Sequence, residues 1–267
     1  MKIGYLQFKP QFGQVKSNII RIKELLKDKG FDLLVIPELS NSGYLFRSKD
    51  ELAKYSEEIP TGDYCETLKS ICSANNCFIV SGICERDGDE FYNSAVLVKP
   101  SGDIITYRKI QLFFEEKFFF KPGNIPLTVH EIDGDNFGKV KIGIMICFDW
   151  IFPEVTRTLV LRGAQIICHP SNLVMPYCQD AMVTRALENH VFTITANRIG
   201  KETNGDKELI FTGMSEIVNP KGKILNKSKD NVEECVIIEI NPEDALNKNV
   251  NDYNNVITDR REEFYFK

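Results

Sequence analysis

Histidine is scarce in this chain, with three residues in 267, and none has a neighbour at metal-ligand spacing. A short-spaced His/Cys metal centre is therefore not expected. Lysine and arginine are outnumbered by acids, 33 to 38, which leaves a net charge of -5. Nucleic acid is disfavoured as a partner, because phosphate binding needs concentrated cations. No apolar run approaches the ~18 residues of a membrane span, so no membrane association is expected. The opening MKIGYLQFKPQFGQ has no apolar h-region followed by a small-residue cleavage site, and a cytoplasmic location is the expectation. No Pro/Gly/Ser linker, internal repeat or low-complexity tract divides the sequence. One domain over residues 1–267 follows.

What is present suits a globular α/β protein. Hydrophobic residues make up 43% and charged residues 27%, enough for a sizeable core. Of the eight cysteines no two stand at CxxC spacing, and the nearest pair, Cys72 and Cys77, lie five apart. In a reducing compartment most of them read as small buried hydrophobes. Apolar or alternating runs predict strands at KIGYLQF, DLLVIP, CFIVSGIC, YNSAVLV, DIITYRK, KVKIGIMIC, AQIICHP, VFTITAN, SEIVNP and CVIIEI. Helical spacing predicts helices in SNIIRIKELLKDKG, with Gly30 as its stop, in PEVTRTLVLRG, from Pro153 to Gly163, and in QDAMVTRALENH. The strands near residues 80–108 follow one another through RDGDE and PSGD, so they pair antiparallel. A mixed sheet covered by helices results.

Three places break the pattern of an ordinary core. DLLVIPELSNSGY runs a buried-type strand into Pro37 and then Glu38, either a loop cap or a carboxylate at a pocket edge. In ITYRKIQLFFEEKFFFKPGN, Lys109 leaves a strand, and Glu115 and Glu116 stand among phenylalanines. The cluster is either a solvated face or a shielded group of shifted charges. KIGIMICFDWIFPE ends an apolar strand in Cys147, a core thiol or a nucleophile at a strand end, where α/β sheets commonly line ligand crevices.

Taken in order, Glu38 in VIPELSNSGY, Lys109 in YRKIQLF and Cys147 in ICFDWIFPE resemble the Glu-Lys-Cys triad of the nitrilase (carbon–nitrogen hydrolase) superfamily. EKFFFKPGN, RALENHVFTITANRIG and FTGMSEIVNPKG resemble further motifs of that family, and the likeness covers nearly the whole chain. The resemblance implies a four-layer αββα sandwich, two of which pair into an αββα–αββα homodimer or a higher homo-oligomer. The tail at about 250–267 would then pack on the partner. It also implies a cysteine hydrolase of non-peptide carbon–nitrogen bonds that needs no cofactor or metal.

Glu38 is then the general base, Cys147 the nucleophile and Lys109 the cation that favours the thiolate and the oxyanion. In the resemblance Glu116, rather than Glu115, is the fourth site residue, a carboxylate that orients Lys109 and substrate. Phe148 supplies a backbone N–H to the oxyanion, and Trp150 stands at the substrate pocket. Cys-Phe-Asp at 147–149 favours an amide over a nitrile, for which Cys-Trp-Glu is typical. Trp150 stands where N-carbamoyl-amino-acid hydrolases hold an arginine for the substrate carboxylate, so a small neutral aliphatic amide is the expected substrate. Nitrilase, N-carbamoyl amine hydrolase and a catalytically quiet binding protein of the same fold are the alternatives.

Overall fold

The computed structural model describes residues 1–265. Alternation in the strands is what builds its layers. In the first sheet, β1 (Lys2–Gln7), β2 (Leu33–Ile36) and β3 (Phe78–Asp87) run parallel, while β4 (Glu90–Val98) and β5 (Ile104–Arg108) return antiparallel. Ile3, Tyr5, Leu33, Val35, Phe78 and Val80 face one side of this sheet. Leu6, Leu34, Ile36, Ile79 and Ile83 face the other. The period of two in a pleated strand requires that division.

The outer side is covered by α1 (Val15–Leu26), through Ile19, Ile22 and Leu26, and by α3 (Asp63–Asn75), through Tyr64, Leu68 and Cys72. The short α2 (Lys49–Tyr55) lies between them in sequence and starts where the Ser48 hydroxyl accepts from Glu51 N–H.

The other half repeats the plan. β6 (Val129–Gly134) pairs antiparallel with β7 (Gly138–Ile144), and β7, β8 (Ile166–Ser171) and β9 (Phe192–Asn197) run parallel. A hairpin, β10 (Ile199–Asn204) with β11 (Lys207–Thr212), stands apart as a two-stranded sheet. β12 (Glu216–Val218) and β13 (Ile224–Lys227) close the second sheet, and β14 (Glu234–Glu239) crosses back to pair with β1. The helices α5 (Pro153–Leu161) and α6 (Cys178–Asn189) cover its outer side through Val155, Leu159 and Met182. A short helix, α4 (Glu116–Phe119), sits in the loop after β5. The sheets face each other across the apolar layer of Tyr5, Val35, Val80, Ile142 and Ile194, an αββα sandwich in one domain.

All ten expected strands are present, and the antiparallel run through β3, β4 and β5 is as anticipated. Two local expectations fail. The first helix ends at Leu26, with Asp28 rather than Gly30 taking the left-handed conformation (φ 59°). The run KVKIGIMIC also stops pairing as a strand at Ile144, and Cys147 opens a 3-10 turn, Cys147–Ile151. Of the tail, Ile257 packs against the core and the Val256 carbonyl accepts from Arg157 at 3.1 Å, while Tyr253 is exposed. Residues 266 and 267 lie outside the described part of that tail.

Candidate active site

Glu38, Lys109, Cys147 and Asn172 each stand just past the carboxyl end of a strand, at β2, β5, β7 and β8 respectively. Glu38 is seated by close backbone packing on β3. A Cβ on Gly82 would lie 2.3 Å from the Glu38 Cα, so only glycine fits there. Lys109 is fixed through its backbone. Its N–H donates to the Asn93 carbonyl (2.8 Å), and its carbonyl accepts from Gly123 N–H (2.8 Å) in the Pro-Gly turn after the phenylalanine run.

The side chains meet in a site closed to water. Lys109 Nζ donates to Glu38 Oε1 at 2.7 Å and to Glu116 Oε1 at 2.8 Å, and none of the three is appreciably exposed. Asn93 Nδ2 also donates to Glu38 Oε1 (2.7 Å), while Glu38 Oε2 has no partner in the protein. Glu116 accepts from the Tyr44 hydroxyl (2.7 Å) and from Phe113 N–H (3.1 Å). Glu115, one residue away, points elsewhere and pairs with Lys207. Tyr44 is held in turn by Glu202, whose Oε1 accepts from Tyr44 N–H (2.8 Å) and Leu45 N–H (2.7 Å). Buried Arg198 clamps Glu202 at 2.6 Å.

Cys147 has a left-handed backbone (φ 41°), uncommon for a residue with a Cβ. Two groups fix that turn. The His169 Nε2–H donates to the Cys147 carbonyl (2.9 Å), and burial lowers His169 to about 4, so the ring is neutral. Asp149 accepts from Ile146 N–H (2.9 Å), from Gln111 N–H (3.1 Å) and from the Tyr107 hydroxyl (2.7 Å), which ties the turn to the Lys109 segment. Burial raises Asp149 to about 6.

Burial works against the charge of Lys109, but Glu116 and Glu38 outweigh it and hold the ammonium above its ordinary pKa. Burial raises Glu116 as well. Cys147 lies well above the usual thiol value, first because it is buried and next because of the Glu38 charge, with Lys109 opposing. The expected bias of Lys109 toward a resting thiolate is thus overridden. One ammonium faces two carboxylates, and the net field disfavours a third anion.

Above Cys147 opens a pocket of about 270 Å³, walled by Phe113, Phe148, Trp150, Leu173, Met175 and Tyr177, with Asn172 also in the lining. The structure therefore gathers Glu38, Lys109 and Glu116 in one ionic cluster whose charges reach Cys147, and puts Phe148 and Trp150 at the pocket. Tyr44, Asn93, Asp149, His169 and Asn172 were passed over as site residues in the sequence, although a polar residue inside or just beyond an apolar strand is the signal that marks most of them. Among the described residues, no group of His, Cys, Asp and Glu is arranged to hold a metal ion. No helix among them is long and apolar enough to cross a membrane.

This fold with a cysteine turn beside a Glu-Lys-Glu cluster defines a class, and the comparisons agree. The chain belongs to the carbon-nitrogen hydrolase family, whose profile matches residues 2–246. It is similar to a nitrilase of Pyrococcus abyssi, 43% identical over the full length of both chains (100% each). It is also similar to an (R)-stereoselective amidase of a Pseudomonas species, 32% identical over 98% of this chain and 92% of that one. Among solved structures, an alanine variant of Nesterenkonia AN1 amidase, from the nitrilase superfamily, superposes with a TM-score of 0.80. It is 25% identical, covering 98% of this chain and 95% of that one.

Proposed function

We propose that this carbon–nitrogen hydrolase cleaves small, neutral aliphatic amides through a Cys147 thioester. The carrying observation is the wall of the Cys147 pocket, which is aromatic and aliphatic and contains no lysine, arginine or histidine among the described residues. A carboxylate on the acyl group would enter it without a cationic partner, and its lost hydration would go uncompensated. Arg185, behind Trp150, is engaged with Glu188 (3.0 Å) and the Trp150 carbonyl (3.2 Å).

In this reading Glu38 Oε2, free of other partners, takes the proton from Cys147 Sγ as the sulfur attacks the amide carbon. Deprotonation coupled to attack suits a thiol whose resting pKa is high. Lys109 Nζ and the Phe148 N–H stabilise the oxyanion. Glu38 returns its proton to the departing nitrogen, and ammonia or an amine leaves with its bonding electrons. Glu38 then deprotonates a water that attacks the thioester, the carboxylic acid departs, and Cys147 recovers its proton. Glu116 and Tyr44 keep Lys109 aimed.

A second reading, nitrile hydrolysis through the same cysteine, is favoured by the 43% identical relative named a nitrilase. Ammonia release from propionamide, propionitrile and N-carbamoyl-alanine separates the readings. Preference for propionamide is expected. Preference for the nitrile overturns the amidase reading, and turnover of none of them assigns the fold to binding. A homodimer or larger homo-oligomer is part of the proposal, supported by exposed Leu161 and Leu187 on α5 and α6, with the tail at 250–267 packing on the partner. Light scattering of the full chain and of a chain cut before residue 250 tests it.

A further inference from the structure

Asn172 follows the last residue of β8, lines the Cys147 pocket and is buried. Its backbone N–H faces the Cys147 sulfur. The chain on both sides is pinned, since the Ser171 carbonyl accepts from Arg198 N–H (3.3 Å) and Leu173 N–H donates to Asn197 Oδ1 (2.8 Å). Yet neither Oδ1 nor Nδ2 of Asn172 has a hydrogen-bond partner in the protein. Buried side-chain amides are nearly always satisfied. A buried carboxamide on a pinned stretch of backbone, open at both ends in the Cys147 pocket, is suited to pair with whatever enters it.

We propose that Asn172 is the specificity-determining residue that recognises a primary carboxamide. Its Oδ1 accepts from the substrate NH2, and its Nδ2 donates to the substrate carbonyl oxygen. This deepens the amidase reading and rests on it. A primary amide presents one donor and one acceptor side by side in a single plane, the complement of the asparagine carboxamide. Pairing in that plane leaves the face of the carbonyl open to Cys147. A nitrile offers only a lone pair, and an ester has no N–H, so both leave Oδ1 unpaired in a dry wall. A site built to bond a substrate N–H rejects analogues lacking it far more strongly than it rejects a missing methylene. An aspartate at 172 would lack the donor and would bring a third carboxylate toward Glu38 and Glu116.

The test compares wild type with Asn172→Leu, which is nearly isosteric, and Asn172→Ala. kcat/KM is measured on propionamide, propionitrile and p-nitrophenyl propionate, and the nitrophenol burst counts competent Cys147 sites. The expected result is an amide-to-ester ratio lowered at least ~100-fold in both variants, with the nitrile-to-amide ratio raised. Amide and ester rates falling together, loss of the burst in both variants, or a ratio within threefold of wild type overturns the assignment. A wild type active on propionitrile and inactive on propionamide sinks the amidase reading and Asn172 with it. An amide-active wild type whose ratio survives both substitutions overturns the Asn172 assignment alone.

Discussion

Replacing Lys109 by methionine keeps the length of the side chain and removes one charge from a site closed to water. Lys109 Nζ is the shared donor to Glu38 (2.7 Å) and Glu116 (2.8 Å). Without it, two buried carboxylates face each other with only Asn93, Tyr44 and the Phe113 N–H left to solvate them. Breaking a buried ion pair from one side costs about 3–5 kcal/mol, because the remaining charge is uncompensated. At roughly 2–4 °C per kcal/mol for a chain of this size, Tm should fall by roughly 6–20 °C at pH 8. The loss should depend on pH with a defined sign. Carboxyls whose folded pKa is raised above the unfolded ~4.3 lose stability as pH rises through that window, and are penalty-free below it. The Tm deficit should therefore shrink toward pH 5. Adding Glu116→Gln removes one of the stranded charges and should recover at least half of the deficit at pH 8. Activity should behave otherwise. Lys109→Met should lower kcat/KM by at least ~10³, and the double variant should not regain it, because the oxyanion donor is still missing. Thermal unfolding at pH 5 and 8 and ammonia release from propionamide provide both readings. A deficit independent of pH, or a double variant no more stable than the single one, would refute the charge argument.

Cys147→Ala should abolish turnover with Tm nearly unchanged, and ammonia release from propionamide within tenfold of wild type would contradict this. Glu216 meets Lys227 at 3.3 Å, yet burial outweighs that ammonium and raises the carboxyl from 4.5 to about 7. A carboxyl raised in this way costs stability as pH climbs through that window, so Glu216→Gln should stabilise by up to about 3 kcal/mol at pH 8 and by nothing below pH 4.5. Equal gains at both pH values in thermal unfolding would show that its charge is not the cause. N-carbamoyl-alanine should be at least ~100-fold poorer than propionamide in kcat/KM, and Trp150→Arg should narrow that gap; an unchanged ratio means that residue 150 does not read the acyl group.

The layers of the sandwich were legible in the sequence because they are made by a local rule. In DLLVIP and CFIVSGIC, apolar residues cover both faces of the strand, and only burial between two layers satisfies such a run. α5 was readable from Pro153 to Gly163 for an equally local reason, a proline suited to the first turn and a glycine at φ 97° just past the end. The elements that escaped reading have weak local signals. β6, β11 and β13 mix exposed and half-buried positions at sheet edges or in the hairpin, and the stripe of α3 runs partly through cysteines. Gly30 misled because the stop fell at Asp28, where an aspartate tolerates the left-handed region.

The site divides in the same way. Glu38, Lys109 and Cys147 each sit where an apolar run breaks into a charged or reactive side chain, but singly each stayed open, and only their order along the chain, matched to a family, marked them as a site. What surrounds them was not. Tyr44 meets Glu116 across 72 positions of sequence, Asn93 meets Glu38 across 55, and Glu202 reaches Tyr44 across 158. The side-by-side order of β2, β3, β4 and β5 in the first sheet brings Asn93 to Glu38 and Tyr44 to Glu116, and the return of the β10–β11 hairpin brings Glu202 to Tyr44. The state of Cys147 was likewise decided by tertiary structure. A lysine nearby in a motif suggests a thiolate, but the pKa depends on the sum of burial and every charge in reach. Here two carboxylates and the loss of water outweigh one ammonium.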